Sequence, residues 1–319
     1  MRRQLRSVAT PPKDFTGFWR KTLKELDSVP VNLTRSHVNA TVSENQILED
    51  ISFDSLWGKR IHGYFLRQKD SEDSPLVIHA HGYGSTCTVQ WDWARAGLNV
   101  IGIDIRGFGR SAGAVPNVSK WGYVLTGMAS PEKSVLRGAV CDYIRATRIG
   151  QTLLAPRRRC TVLYGRSFGG GLALMAEGVA QVADFLALGV PTFGWAEGRY
   201  FFVKDGSGQE INDYLRTYPD STEDVMLVLR YFDSIHFAEL VRCPTLVGVG
   251  LEDEVVPAKT VYAIVSHLRG PVEIMEFPVS HTERPEEKLW DRFEAAWERV
   301  AQQGIPDDFG QNPTIQSSA

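Results

Sequence analysis

The sequence predicts an α/β fold: a mainly parallel central sheet with helices on both faces and an insertion over the C-terminal strand ends. Three observations carry this. Short, nearly continuous apolar runs recur at Pro75 to His81, Asn99 to Asp104, Cys160 to Tyr164, Phe185 to Gly189, Thr245 to Gly250 and Val272 to Phe277. Strands with water on one face alternate polar and apolar residues, whereas strands buried on both faces read as these do. Helix-period segments separate the runs, the rhythm of a parallel sheet with crossover helices. A chain of 319 residues, 43% of them hydrophobic, suits one large α/β domain or two small ones, and the unbroken rhythm places one domain over residues 1–303.

In chain order, Asp14 stands where it can cap a first helix, with Phe15, Phe18, Trp19, Leu23 and Leu26 at helical spacing and Pro30 ending it. A strand is expected near Thr34 to Val42. The runs Ile47 to Phe53 and Arg60 to Leu66 alternate about Trp57-Gly58-Lys59 and predict an antiparallel hairpin. After the strand Pro75 to His81 come a short helix near Trp91 to Ala96, the strand Asn99 to Asp104, and the turn Arg106-Gly107-Phe108-Gly109. An amphipathic helix is predicted from Glu132 to Arg145. Late helices are predicted at Pro257 to His267 and Glu286 to Val300. Residues 191–242 break the rhythm. They hold Phe193, Trp195, Tyr200, Phe201, Phe202 and Tyr214, and a helix near Thr222 to Tyr231, which reads as a lid or pocket wall or as a small satellite core. Periodicity is lost over residues 304–319, which predicts a disordered tail.

Composition excludes several classes. A formal charge of −3 with interspersed signs argues against nucleic-acid and membrane partners, and Arg157-Arg158-Arg159 reads as a solvated loop. No run of about eighteen apolar residues occurs, so no membrane span is expected. The basic start, Met1 to Arg6, precedes no apolar stretch. Cys87, Cys141, Cys160 and Cys243 lack metal-type spacing and require no disulfide, so the expected compartment is the reducing cytoplasm. The triplets beginning at Asn32, Asn39 and Asn117 then read as chance glycosylation motifs.

The chemistry converges on Gly165-Arg166-Ser167-Phe168-Gly169, a Gly-x-Ser-x-Gly motif between a buried strand and a helix-like run. That context is the nucleophile elbow of the α/β-hydrolase fold. The tight turn strains the serine backbone and needs small neighbours, and the following helix start aims amide dipoles at developing charge. A serine hydroxyl needs a general base, and the base an orienting acid, in the chain order serine, acid, histidine. Of seven histidines, His281 alone follows the last strand; Asp253, with Glu252 and Glu254 as rivals, follows the strand before it. Ser167, Asp253 and His281 are therefore the candidate catalytic residues. The amides of Phe168 and of Tyr83, in His81-Gly82-Tyr83-Gly84, are the candidate oxyanion donors. No metal site and no cofactor is expected.

These stretches resemble carbohydrate esterase family seven, the acetyl xylan esterase and cephalosporin C deacetylase family, over nearly the whole chain. Its Arg-Gly-Gln-Gly turn appears as Arg106-Gly107-Phe108-Gly109, its Gly-x-Ser-Gln-Gly elbow as Gly165 to Gly169, and its late His-Glu as His281-Thr282. His81-Gly82-Tyr83, Arg230-Tyr231-Phe232-Asp233 and Val249 to Asp253 are similar as well. The resemblance implies triad roles for Ser167, Asp253 and His281, oxyanion roles for Tyr83 and Phe168, and a loop-tying structural role for Arg106. Phe108, Phe168 and Thr282 stand where the family carries Gln, Gln and Glu, which implies a pair of stacked rings in place of a polar link and a more apolar pocket rim. The family forms a doughnut-like hexamer through a loop in the stretch after the Arg106 turn. That stretch is short here, so a homo-oligomer rests on the resemblance alone.

The expected activity is hydrolysis of small acyl esters, acetyl foremost and acetylated sugars included, with a small-molecule ester as the partner. Peptidase or carbon–carbon hydrolase chemistry on the same fold, and a non-catalytic binding protein, are the rival classes.

Overall fold

A computed structural model describes residues 9–39, 45–69, 73–155, 158–282, 288–311 and 315–316. Among the described residues the strands are β1 (Thr34–His37), β2 (Gln46–Ser55), β3 (Lys59–Gln68), β4 (Ser74–Ala80), β5 (Asn99–Asp104), β6 (Arg158–Arg166), β7 (Phe185–Gly189), β8 (Thr245–Gly250), β9 (Val272–Phe277) and β10 (Ile315–Gln316). They form one sheet in the order β1-β2-β3-β5-β4-β6-β7-β8-β9-β10. The β1–β2, β2–β3 and β3–β5 pairs are antiparallel, and every pair from β5–β4 onward is parallel.

The helices are α1 (Phe15–Ser28), α2 (Trp91–Arg95), α3 (Val135–Leu154), α4 (Phe168–Ala180), α5 (Ala196–Phe202), α6 (Gly206–Thr217), α7 (Thr222–Arg230), α8 (Ser234–Ala238), α9 (Ala258–Val265) and α10 (Asp291–Gln303). The period of two along each strand feeds two cores. On one face Ile78, Leu163 and Leu188 meet α1, α3 and α4; on the other Val77, Val162 and Ala187 meet Trp93 of α2 and Trp297 of α10. Among the described residues no helix is long and apolar enough to cross a membrane.

Strand order positions the site. After β4 the chain moves one way to β5, then returns past β4 to β6. The crevice at that reversal, outside the C-terminal ends of β4 and β6, is where sheets of this kind hold ligands. The loop His81-Gly82-Tyr83 leaves β4 there, and Ser167 leaves β6 there.

Several expectations need correction. The helix predicted over Glu132 to Arg145 is α3: it starts at Val135, where Ser134 Oγ accepts the Leu136 amide at 3.3 Å, and runs on to Leu154. Gly150 does not stop it. A Cβ there would stand 2.9 Å from Ile101 and Leu76, so the glycine admits close packing on the sheet. Asp14 caps nothing with its side chain; its carboxylate accepts the Tyr231 hydroxyl at 2.5 Å instead. The predicted disordered tail is partly built in. Phe309 is buried, its ring 5.7 Å from Phe185, and Ile315–Gln316 pair with β9, because β9 would otherwise leave an open sheet edge and an uncovered aromatic. Residues 312–314 and 317–319 of that tail lie outside the described residues, as do residues 40–42 of the first predicted strand and residues 286–287 of the last predicted helix. Residues 191–242 are no satellite: Val225, Leu229, Phe232 and Phe237 belong to the main core, and the Phe232 and Phe237 rings meet Trp19 of α1 at centroid distances of 5.9 and 5.2 Å.

Candidate active site

The elbow is built by close approach. Ser167 has φ 52° and ψ −117°, left-handed backbone that a serine adopts only when its surroundings impose it. Its amide donates to the Gly189 carbonyl of β7 at 2.9 Å, and its carbonyl accepts from Gly171 at 3.0 Å and Thr192 at 3.2 Å. A Cβ on Gly165 would lie 2.2 Å from the Gly169 carbonyl carbon, and one on Gly169 would lie 2.5 Å from the Ala80 carbonyl oxygen. The glycines thus let strand, helix and the loop after β4 touch at the backbone. Gly169→Ala should push the elbow away from the His81–Tyr83 loop. Steady-state kinetics on p-nitrophenyl acetate should show turnover down by about 10²-fold, the cost of a misplacement near 1 Å.

Phe168 is the first residue of α4, so its N–H has no acceptor within the helix. Tyr83 sits in the facing loop. Asp253 and His281, on the loops after β8 and β9, are joined: His281 Nδ1 meets Asp253 Oδ2 at 2.5 Å, and the His281 amide donates to the same oxygen at 3.1 Å. Asp253 Oδ1 accepts from Val255 at 3.0 Å and Val256 at 2.8 Å, so a fully used carboxylate fixes the ring. Burial pulls the Asp253 carboxyl upward, but His281 and these amides outweigh it and hold it below the usual range. Glu252 and Glu254 are exposed, and Glu254 pairs with Lys204 instead. With Nδ1–H turned to Asp253, Nε2 carries the lone pair. Ser167 is half-buried along the same sheet edge, with β7 and β8 between its strand and that of His281. Among the described residues its hydroxyl makes no hydrogen bond to His281; such contacts tighten when substrate binds.

Arg106 is buried and bidentate to Asp142 of α3, with Nε to Oδ2 at 2.8 Å and Nη2 to Oδ1 at 2.6 Å. Nη2 also reaches the hairpin at Leu56 O, 3.3 Å. The next residue back, Ile105, donates its amide to His81 Nε2 at 3.1 Å. Arg106 therefore ties α3 and the β2–β3 hairpin to the segment that supports the loop after β4. Burial lowers the His81 pKa, which keeps that ring neutral and able to accept.

The rings of Phe108 and Phe168 meet edge to face, centroids 5.9 Å apart at 63°, and are not stacked. Tyr83, Tyr123 and Phe193 join them: Tyr83 to Phe168 is 5.6 Å, Tyr123 to Phe108 4.5 Å and Phe193 to Phe168 5.9 Å. The Tyr83 hydroxyl donates to Glu210 of α6 at 2.5 Å, and burial with Glu210 drives its pKa far up. Beside this cluster, past Gly82, lies a polar cleft of about 530 Å³ lined by Ser85, Thr88, Gln90, Trp93 and Arg166. Among the described residues no group of three or more His, Cys, Asp or Glu is placed to hold a metal.

Sequence reasoning missed three residues around the site. Glu210 holds Tyr83 from 127 positions away. Trp290 donates Nε1 to the Ser280 carbonyl at 3.3 Å, next to His281, and lies 4.8 Å from the Arg166 guanidinium. Arg166 in turn is 3.3 Å from Glu294. Only Arg166 carried a signal, its place inside the elbow motif.

The family model described as acetyl xylan esterase (AXE1) matches residues 3–293. Acetyl esterase Axe7A of Xylanibacter ruminicola is 20% identical over 287 residues, 86% of this chain and 64% of that protein, so the chain spans under two thirds of that relative's length. An acetyl xylan esterase from Paenibacillus sp. R4 superposes with TM-score 0.80 at 24% identity, covering 92% of this chain and 98% of that one. Acetyl xylan esterase 1 from Thermoanaerobacterium sp. JW/SL YS485 does so with TM-score 0.81 at 25% identity, over 91% and 96%. The acylaminoacyl peptidase of Pyrococcus horikoshii shares the fold with TM-score 0.60 at 14% identity, over 89% of this chain and 44% of that one.

Proposed function

Because the chain belongs to the acetyl xylan esterase family, we propose that it is a serine carboxylic-ester hydrolase that removes acetyl groups from hydroxyl-rich alcohols, acetylated sugars among them. Ser167 Oγ attacks the ester carbonyl while His281 Nε2 takes its proton. The tetrahedral oxyanion rests on the Phe168 and Tyr83 amides. Collapse expels the alcohol, which receives the proton from His281 and leaves an acetyl-serine. Water, deprotonated by His281, then releases acetate and restores Ser167. Asp253 holds the imidazole tautomer and stabilises its charged form. The observation that carries this reading is the Asp253–His281 bond at the edge where the strained Ser167 elbow emerges.

Acyl size follows from the aromatic cluster. Phe168, Tyr123 and Phe193 are 1%, 4% and 4% exposed, so little free space remains among the rings beside the Phe168 amide. The polar cleft past Gly82 is the proposed seat of the alcohol half. An ester series should therefore fall at least tenfold in kcat/KM from acetyl to butyryl, on the order of a few kcal/mol for extra methylenes without room. Phe108→Ala should narrow that gap by opening the cluster while leaving the Phe168 amide in place. A panel that adds peptide substrates tests the reading: acetyl esters cleaved and peptides spared support it, and peptides preferred overturn it.

A further inference from the structure

We propose a binding site for a single halide-sized anion, with chloride as its natural occupant, in the small cavity beside Arg199 within the 191–242 insertion. Arg199, on α5, is 5% exposed. Its guanidinium donates to two neutral hydroxyls, Nη1 to Thr192 Oγ1 at 2.7 Å and Nη2 to Ser207 Oγ at 3.3 Å, and lies 5.6 Å from the Phe193 ring centroid. Among the described residues no carboxylate comes within ion-pair distance of it. Other buried arginines are served differently: Arg106 has Asp142 at 2.6 Å, Arg137 has Glu25 at 2.7 Å, and Arg145 has the Val29 carbonyl at 3.1 Å. The carboxylate whose field reaches Arg199 is that of Asp233. Its oxygens are already engaged by the amides of Trp195 at 2.9 Å, Ala196 at 2.7 Å and Ile235 at 3.0 Å.

A buried cation without a counter-ion is costly, and desolvation pulls this guanidinium down to about 10. The space next to it has the size of the missing charge. Arg199 lines a cavity of about 20 Å³ together with Phe193, Ile211, Asn212, Met226 and Phe232. That volume admits one or two water-sized bodies and excludes sulfate, phosphate or a substrate carboxylate with its carbon attached. The side chains in the walls are apolar apart from Arg199, Tyr200 and Asn212, whose Nδ2 donates to Val203 O at 3.0 Å and keeps a second N–H. An anion there would complete the fold around the nucleophile, since Thr192 accepts from Arg199 and donates its own amide to the Ser167 carbonyl at 3.2 Å.

Crystals of the full chain soaked in sodium bromide test this directly. An anomalous peak within hydrogen-bond distance of the Arg199 guanidinium is the expected result, and its absence overturns the proposal. In solution the melting temperature should rise with chloride or bromide over sodium gluconate at equal ionic strength. The rise should reach roughly 3–5 °C once the halide is about a hundred times its dissociation constant and grow with the logarithm of halide concentration beyond that. Arg199→Met should abolish that rise; if this variant fails to fold, the wild-type crystal and melting curves decide alone. A peak without any halide effect on melting means binding at crystal concentration only and also overturns the proposal, as does water found in the cavity.

Discussion

Ser167→Ala should lose about 10⁶-fold in the turnover of p-nitrophenyl acetate, with an unchanged melting temperature. The size follows from how such sites work. Removing the nucleophile of a serine–histidine–aspartate unit costs nearly as much as removing all three members, because each acts only through the others. Oxyanion donors and binding survive and leave a small residual rate above that in water. The fold has little reason to object. Ser167 is held by its backbone, with the amide on Gly189 and the carbonyl on Gly171 and Thr192, and alanine keeps all three bonds. Turnover within tenfold of wild type in a clean preparation would refute the assignment of Ser167.

The second large effect is on stability. Asp142→Asn should destabilise the protein by about 3–5 kcal/mol, read from urea unfolding followed by circular dichroism. Asp142 and Arg106 are both buried, their side chains 0% and 1% exposed, and Arg106 already has one nitrogen, Nη1, without a partner. Burial opposes the charge on Arg106, but Asp142 at hydrogen-bond distance raises its pKa on balance. Asparagine keeps the volume and removes the compensating charge. The guanidinium would then stay in the core unpaired, the expensive outcome for a broken buried pair. The disturbance should also reach the site, through Ile105 and its bond to His81 at 3.1 Å. A loss below about 1 kcal/mol would show that the pair contributes no more than a surface bridge does.

Legibility in the sequence tracks how local each cause is. The strands Asn99–Asp104, Phe185–Gly189 and Thr245–Gly250 match their predicted bounds because every residue in them is buried, and Val272–Phe277 does so with Ile274, Met275 and Phe277 buried. The elbow was readable as a five-residue motif: the steric demand on Gly165 comes from Gly169 and Gly170 within it, although that on Gly169 comes from Ala80 on the neighbouring strand. The helix predicted from Glu132 to Arg145 differs from α3 at both ends because Ser134 supplies the cap and because Gly150, packed against the sheet, lets the helix run on to Leu154. Phe309 was lost among polar neighbours that give no periodic signal; its partner Phe185 is 124 positions away. Glu210 and Trp290 were invisible on the same ground. Glu210 touches the site through Tyr83, 127 positions away, and Trp290 through Ser280 and the distant Arg166, contacts that spacing cannot encode. The pairing of Asp253 with His281 was legible, since the fold dictates which loops carry an acid and a histidine, and the two do meet.

The most direct measurement is fluorophosphonate labelling of the full chain, with intact mass and peptide mapping set beside the loss of acetyl esterase activity. One adduct per chain on Ser167, forming in step with inactivation, is the expected result. A label on any other residue, or full activity in a chain completely labelled at Ser167, would contradict the assignment of the nucleophile and the mechanism built on it.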